Sequence, residues 1–220
     1  MEDLAASYGH MELLHYKGGA NMKWSASDIK KYSNALVSGL AEIGHNPGTR
    51  IASMLNPSVA EHHCTQFACA EAGYVFVSID PQIDDPILLN KILSDNQVKT
   101  LVYSGNDREI ELINQAVPEF DNYRSRQCKP FFSSTLPHIR FFITIGLDMQ
   151  PGALPIRPSH NYQHFLAYDG VQPSKATLDG EIISVDYSDK GKVRKQRTQE
   201  EVVQDKFFPA RAPAQRLGEP

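Results

Sequence analysis

From Trp24 onward the chain alternates between two hydrophobic periods. Ile29, Tyr32, Leu36, Leu40 and Ile43 recur every three or four residues, which gathers them on one face and predicts an amphipathic helix. Ser25 or Ser27 can cap its start by accepting a backbone N–H bond, and Gly44 supplies a left-handed stop. "NPG" then turns the chain into a short apolar strand from Ile51 to Leu55. A second helix is predicted from about Val59 to Ala72, closed by Gly73. The following "YVFVSID" is β-branched and aromatic on both faces, the mark of a strand inside a sheet covered by helices on both sides. "DDPILLNKILSDNQ" opens with Asp85 as cap and Pro86 in the first turn, where its missing N–H costs nothing. "KTLVYSG" is a third strand, "DREIELINQAV" a third intervening helix and "HIRFFITIG" a fourth strand. Strand and helix alternating over short links predict an α/β fold with a mostly parallel sheet flanked by helices.

Beyond Gly146 the rhythm fails. Pro151, Pro155 and Pro158 crowd together, and a loose aromatic segment, "YQHFLAYDG", follows. Residues 186–206 are dense in charge and poor in apolar side chains, so by themselves they bury too little surface to offset the entropy of ordering. The pattern therefore divides the chain into an extension over 1–19, an α/β domain over 20–150, and a proline-rich segment with an extended, disordered tail over 151–220. Truncation after about Gly170 is expected to leave stability nearly unchanged. Tyr162, Phe165, Tyr168, Phe207 and Phe208 have no evident place in the predicted sheet, which makes them candidate contacts for a protein partner.

Charge and cysteine usage narrow the chemistry. A net charge of −4 over 220 residues argues against a general phosphate-binding surface, so direct nucleic-acid binding is not expected. Cys64, Cys69 and Cys128 have no metal-ligand spacing and sit in or near apolar segments, which suits reduced, buried thiols in an intracellular compartment. No apolar run approaches the ~18 residues of a membrane-spanning helix. The first residues, "MEDLAASYGHMELLHYKGG", show neither a signal-peptide core nor an Arg-rich amphipathic pattern.

Several small constellations have a plain structural explanation. Neighbouring His62, His63 and Cys64 point in divergent directions on a helix and find no i, i+4 partner for a metal. Cys69 and His63 lie ~600° apart around the axis, too divergent for a thiol–base pair. Asp84 and Asp85 read as helix cap and favourable dipole charge. The cations Lys190, Lys192, Arg194, Lys195 and Arg197 lie among acids, which weakens phosphate attraction and suits a solvated or protein-bound tail. No catalytic, cofactor-binding or metal-binding residue is assigned.

Two ordered segments carry a family resemblance. "GLAEIGHNPGTRIA" is similar to G-L-x-x-x-G-x-x-x-G-D-R-V-A, and "AEAGYVFVSIDP" to A-x-x-A-G-x-v-x-v-x-i-n-P, both of the N-terminal subdomain of acyl-CoA synthetases in the adenylate-forming superfamily. The resemblance spans about residues 20–150 and implies a helix-flanked sheet that packs against a second sheet, with ATP and acyl chain at the junction. Gly48-Thr49-Arg50 stands for the family's G-D-R, and Leu55-Asn56-Pro57-Ser58 for L-P-N-S, which moves a fixed φ by one position. The family grips ATP with a loop of the type T-S-G-T-T-G-x-P-K-G, whose backbone N–H groups and hydroxyls hold phosphate oxygens. "QPSKATLDG" and "SDKGKVRKQ", the nearest lysine-bearing segments, lack that cradle, and the family's later ribose-binding and lid segments have no counterpart.

The resemblance transfers a fold and no catalytic residue, since fold and function are separable. The expectation is a catalytically inactive, truncated synthetase-like protein that needs no cofactor. It would serve as a structural or accessory subunit of a larger assembly, with a mitochondrial complex as the first setting to examine. Two rival expectations are a fragment of an ATP-dependent fatty acid–CoA ligase whose catalytic half is missing or supplied elsewhere, and a small-ligand module.

Overall fold

The computed structural model describes residues 12–15, 23–122, 131–145, 159–168, 170, 182–198 and 201–202. Strands β1 (Glu12–His15) and β2 (Lys23–Ser25) pair antiparallel as a small ribbon. Ser25 then caps α1 (Ala26–Glu42) through a reciprocal box: Asp28 N–H donates to the Ser25 hydroxyl at 3.2 Å and Ser25 N–H donates to the Asp28 carboxylate at 2.9 Å. Past Ile43 the chain leaves the helix through Gly44, at φ +85°.

The main body follows as β3 (Arg50–Ser53), α2 (Ala60–Ala72), β4 (Val75–Ile79), α3 (Pro86–Asp95), β5 (Thr100–Tyr103) and α4 (Asp107–Ala116). A single turn, α5 (Glu119–Asn122), leads towards β6 (Phe141–Thr144) and β7 (Ser159–Asn161), and a 3-10 turn runs Tyr162–Phe165. Gly73 ends α2 at φ +68°, and the Asp85 carboxylate caps α3 by accepting from Ile87 and Leu88 N–H.

Seven strands form one sheet in the order β7-β6-β5-β3-β4-β8-β9, where β8 is Ile182–Tyr187 and β9 is Val193–Thr198. Every neighbouring pair is parallel except β8 with β9. Helices α1 and α2 with the 3-10 turn cover one face, where Leu36, Leu40, Ile51, Phe76, Val102 and Ile143 share a core. On the opposite face α3, α4 and α5 bury Leu89, Ile113 and Phe120 against Val77, Leu101 and Phe142. Two covered faces explain why the central strands carry apolar residues on both sides.

The boundary drawn at residue 150 is corrected by the sheet itself. Far from being a disordered tail, β8 pairs with β4 from Phe76↔Ser184 to Ile79↔Tyr187, and β9 folds back on β8. In isolation a segment of this composition stays unpaired, whereas β4 offers it a ready row of backbone donors and acceptors. Two of its cations are also paired with acids: Arg197 reaches Asp186 at 2.7 Å, and Arg194 reaches Asp80 at 2.9 Å and Asp189 at 3.7 Å. Ile183 and Val202 bury themselves against Ala70 of α2.

Two aromatic candidates for partner contact also receive a place inside the domain. Tyr162 and Phe165 are 4% and 6% exposed and belong to the core beneath α1. Tyr162 shares a hydrogen bond with Thr65 at 3.3 Å, and the backbone of Phe165 lies so near Gly39 that any Cβ there would clash with it. Tyr168 is exposed, with the Lys31 ammonium 5.3 Å from its ring centre. Phe207 and Phe208 lie outside the described residues, as do Cys128 and Pro151, Pro155 and Pro158.

Candidate functional site

Six parallel strands in the order β8-β4-β3-β5-β6-β7 form a doubly wound sheet in which the order of winding reverses between β3 and β5. The segment after β3 leads to α2 on one face and the segment after β5 leads to α4 on the other, so the two connections part at the carboxyl ends of these strands, the topology that sets a crevice there. In open parallel sheets that switch point is where ligands bind.

Three loops border it. Residues 54–59 form one lip: Met54 N–H donates to Val102 O at 2.9 Å, and Asn56 holds the turn by accepting from Ser58 N–H at 2.9 Å. The opposite lip combines residues 104–106 with residues 80–85. Ser104 N–H and hydroxyl both donate to Glu109 Oε2 at 2.7 Å, and Gly105 N–H donates to the same oxygen at 3.3 Å. Gly105 sits at φ +86°, and a Cβ on it would collide with the Thr144 hydroxyl, which donates to Ser104 O at 3.2 Å. Only glycine meets both conditions. Asn106 caps α4 by accepting from Glu109 N–H at 2.9 Å. Arg108 donates to three carbonyl oxygens in succession, Pro81 at 3.2 Å, Gln82 at 2.9 Å and Ile83 at 3.0 Å.

The constellations weighed in the sequence take structural places. His62 is buried in α2, its Nδ1 3.4 Å from the Ser53 hydroxyl and its ring edge-on to Phe76. Cys64 and Cys69 are free and buried; burial pushes the Cys64 thiol up to about 12, helped by the Glu61 charge, and pushes Cys69 up as well. Inert thiols of this kind are packing groups. Asp85 is the α3 cap, as expected. Among the described residues no group of three or more His, Cys, Asp or Glu is placed to hold a metal ion. No helix of the described chain is long and apolar enough to cross a membrane.

Two features escaped the sequence. The segment "SDKGK" is the turn of the β8–β9 hairpin, so it stands at the same carboxyl edge as the crevice. Gly191 makes the turn at φ +67°, Ser188 Oγ accepts from Lys192 N–H at 3.1 Å, and Asp189 pairs with Arg194. The second is His45, at the other end of the sheet, where Nε2 is 2.8 Å from the Thr100 hydroxyl and Nδ1 is buried with no hydrogen-bond partner among the described residues. Burial, then the nearby Lys99 charge, lowers its pKa to about 3. Neither left a usable signal: Val193–Thr198 carries one apolar residue and no alternation to mark a second strand beyond the Asp-Lys-Gly turn, and a lone histidine gives none.

The family model described as AMP-binding enzyme matches residues 1–136, more than half of the chain. The chain belongs to the AMP-binding enzyme family. It superimposes on the fatty acyl CoA synthetase of Mycobacterium tuberculosis at TM-score 0.58 and 18% identity, covering 91% of this chain and 34% of that one. A benzoate CoA ligase from Burkholderia xenovorans gives TM-score 0.61 at 15% identity, with 90% and 33% covered. The coronafacic acid ligase of Pectobacterium brasiliense gives 0.63 at 16%, with 92% and 35% covered. The chain thus spans about a third of these proteins' length. At such identities the likeness establishes the fold alone. Comparison with curated protein sequences gives no match.

Family membership corrects the expectation of a protein outside the enzymes. That expectation leaned on the missing T-S-G-T-T-G-x-P-K-G loop. A stretch that matches about a third of a ligase can lack a loop because of which third it matches, so the gap does not bear on activity.

Proposed function

We propose that this chain is the N-terminal portion of an ATP-dependent acid–thiol ligase, and that its sheet supplies one wall of the site where a carboxylic acid is activated. The reading rests on the family match over residues 1–136 together with the switch-point crevice of a sheet that superimposes on acid–CoA ligases. In such a ligase a carboxylate oxygen attacks the α-phosphorus of ATP, pyrophosphate leaves, and a thiolate then displaces AMP from the acyl carbon. This chain contributes position: a parallel sheet buried on both faces, with loops 54–59, 80–85 and 104–106 fixed at its carboxyl edge. The phosphate-holding loop and the lid come from the complementing part, which is the protein partner this reading calls for. This reading takes the place of the inactive structural subunit expected from the sequence.

The test is to tag the chain in its native host, purify it without denaturation, and determine its intact mass together with that of any tightly bound polypeptide. The expected preparation contains a segment with a Ser/Thr/Gly-rich phosphate loop, releases pyrophosphate only when ATP and a carboxylic acid are both present, and forms the CoA thioester. A preparation that lacks such a segment and releases no pyrophosphate with fatty or aryl acids overturns the proposal.

A further inference from the structure

Two adjacent residues at the start of α4 reach in different directions. Glu109 turns back towards β5 and takes three hydrogen bonds from Ser104 and Gly105 onto one carboxylate oxygen. It is 5% exposed, so its charge is sheltered and those bonds are strong. Arg108 reaches sideways to the loop after β4, where its guanidinium spans the carbonyls of Pro81, Gln82 and Ile83. A planar fork can satisfy several fixed acceptors at once, which a lysine ammonium on a flexible stem does not. The carbonyls belong to a turn that holds itself only lightly, through Gln82 N–H to Asp80 Oδ1 and Ile83 N–H to Asp80 O, both at 3.0 Å. One helical turn therefore holds two loops that lie apart in the chain, one after β4 and one after β5.

We propose that Arg108 and Glu109 form a yoke, a pair of positioning residues that makes loops 80–85 and 104–106 move as one lip of the crevice. Binding energy is then not spent on ordering the two loops separately. The adjacent loop 80–83 is also tied to the β8–β9 hairpin by the Arg194–Asp80 pair, so the lip extends to that edge of the sheet. That this lip faces a ligand rests on the ligase reading; the coupling of the two loops does not.

The experiment is amide hydrogen exchange on the ligand-free chain, resolved to residues 80–85 and 104–106, for the wild type, Arg108→Ala and Arg108→Lys. With the fork removed, the amides of Gln82 and Ile83 should exchange about fivefold faster or more, and those of Ser104 and Gly105, which Arg108 does not touch, should follow. The core strand 100–103 should be unmoved. Arg108→Lys should resemble Arg108→Ala, because charge alone does not span three carbonyls. Acceleration confined to 80–85 makes Arg108 a local staple and overturns the yoke. So does no change in either loop, or a uniform rise across the chain, which marks a general loss of stability. If Arg108→Ala fails to fold, Arg108→Lys carries the same comparison. Because no ligand is needed, failure here leaves the ligase reading standing, and failure of pyrophosphate release leaves the yoke standing.

Discussion

Strands β5 and β9 belong to one sheet and are held in it by different forces. All four residues of β5, Thr100–Tyr103, are buried, with Leu101 and Tyr103 in one core and Val102 in the other. In β9, Val193–Thr198, the first four residues are exposed and three of the six are cations. Burial of apolar surface fixes β5, at roughly 1.5–3 kcal/mol per large side chain. Backbone pairing to β8 and ion pairs to Asp186, Asp80 and Asp189 fix β9. A strand of the first kind announces itself in the sequence; one of the second kind depends on an edge that is already there.

The largest test of this contrast removes the hairpin. Truncation after Gly170 deletes β8 and β9, uncovers the outer edge of β4, and removes the burial of Ile183, Val185 and Val202. Three apolar side chains at ~1.5–3 kcal/mol each amount to about 5 kcal/mol or more, and a chain of this size loses roughly 2–4 °C per kcal/mol. The thermal midpoint should fall by about 10 °C or more. An unchanged midpoint in a calorimetric scan would restore the disordered-tail expectation and show that β8 and β9 add no stability.

Next in size are the aromatic residues of the 3-10 turn. Phe165→Ala should cost about 3–5 kcal/mol, since it empties a site beneath α1 lined by neighbours that cannot fully collapse. Tyr168→Ala should stay within about 0.5 kcal/mol, because that ring is exposed. Denaturant unfolding of the two variants separates core from surface. Equal small losses would return Phe165 to the surface role first expected of it.

How far the sequence could be read follows the same division. Helices α1 to α4, their caps at Ser25, Asp85 and the glycine at 73, and strands β3 to β6 were legible because local period, capping chemistry and burial agree there. The segment 182–198 was not legible, because its partners Asp80 and the β4 edge lie about a hundred residues earlier and leave no local mark. Tyr162 and Phe165 were misplaced for the same reason: their pocket is made by α1 and Gly39. Of the crevice, only the strand ends could be anticipated. The side chains that shape its lip, Arg108 and Glu109, looked like any charged pair in a first helical turn, until the loops they grip were placed beside them.

Acid should act on the apolar side of the comparison, at His45. Its folded pKa of about 3 lies below the ordinary 6.5, so below 6.5 the unfolded chain takes up a proton that the folded chain refuses. The stability of the neutral, buried ring is therefore complete above pH 6.5 and drains away as the pH falls towards 3, by up to ~1.4 kcal/mol per unit. His45→Asn loses packing against Tyr74 and Phe141 and starts lower at neutral pH, but its stability should fall less steeply between pH 6 and pH 4. Urea midpoints across that window give the slope directly. Identical slopes in the two proteins would mean that His45 protonates in the folded state.

The smallest effects should lie among the ion pairs of β9, and they divide by burial. Arg197 and Asp186 expose 13% and 23% of their side chains at a separation of 2.7 Å, and Arg197 also donates to the Ser184 hydroxyl at 3.4 Å. Arg197→Ala leaves a sheltered carboxylate without its partner, a change that costs about 3–5 kcal/mol when both groups are fully buried and about 1–3 kcal/mol in this partly open setting. Arg194 is 56% exposed, so water and salt screen its pairs with Asp80 and Asp189, and Arg194→Ala should cost under about 0.5 kcal/mol. Raising the salt concentration should shrink the second loss to nothing while leaving most of the first. If both substitutions proved equally mild and equally salt-sensitive, β9 would be held by its backbone alone. The acids opposite its cations would then be incidental to the fold.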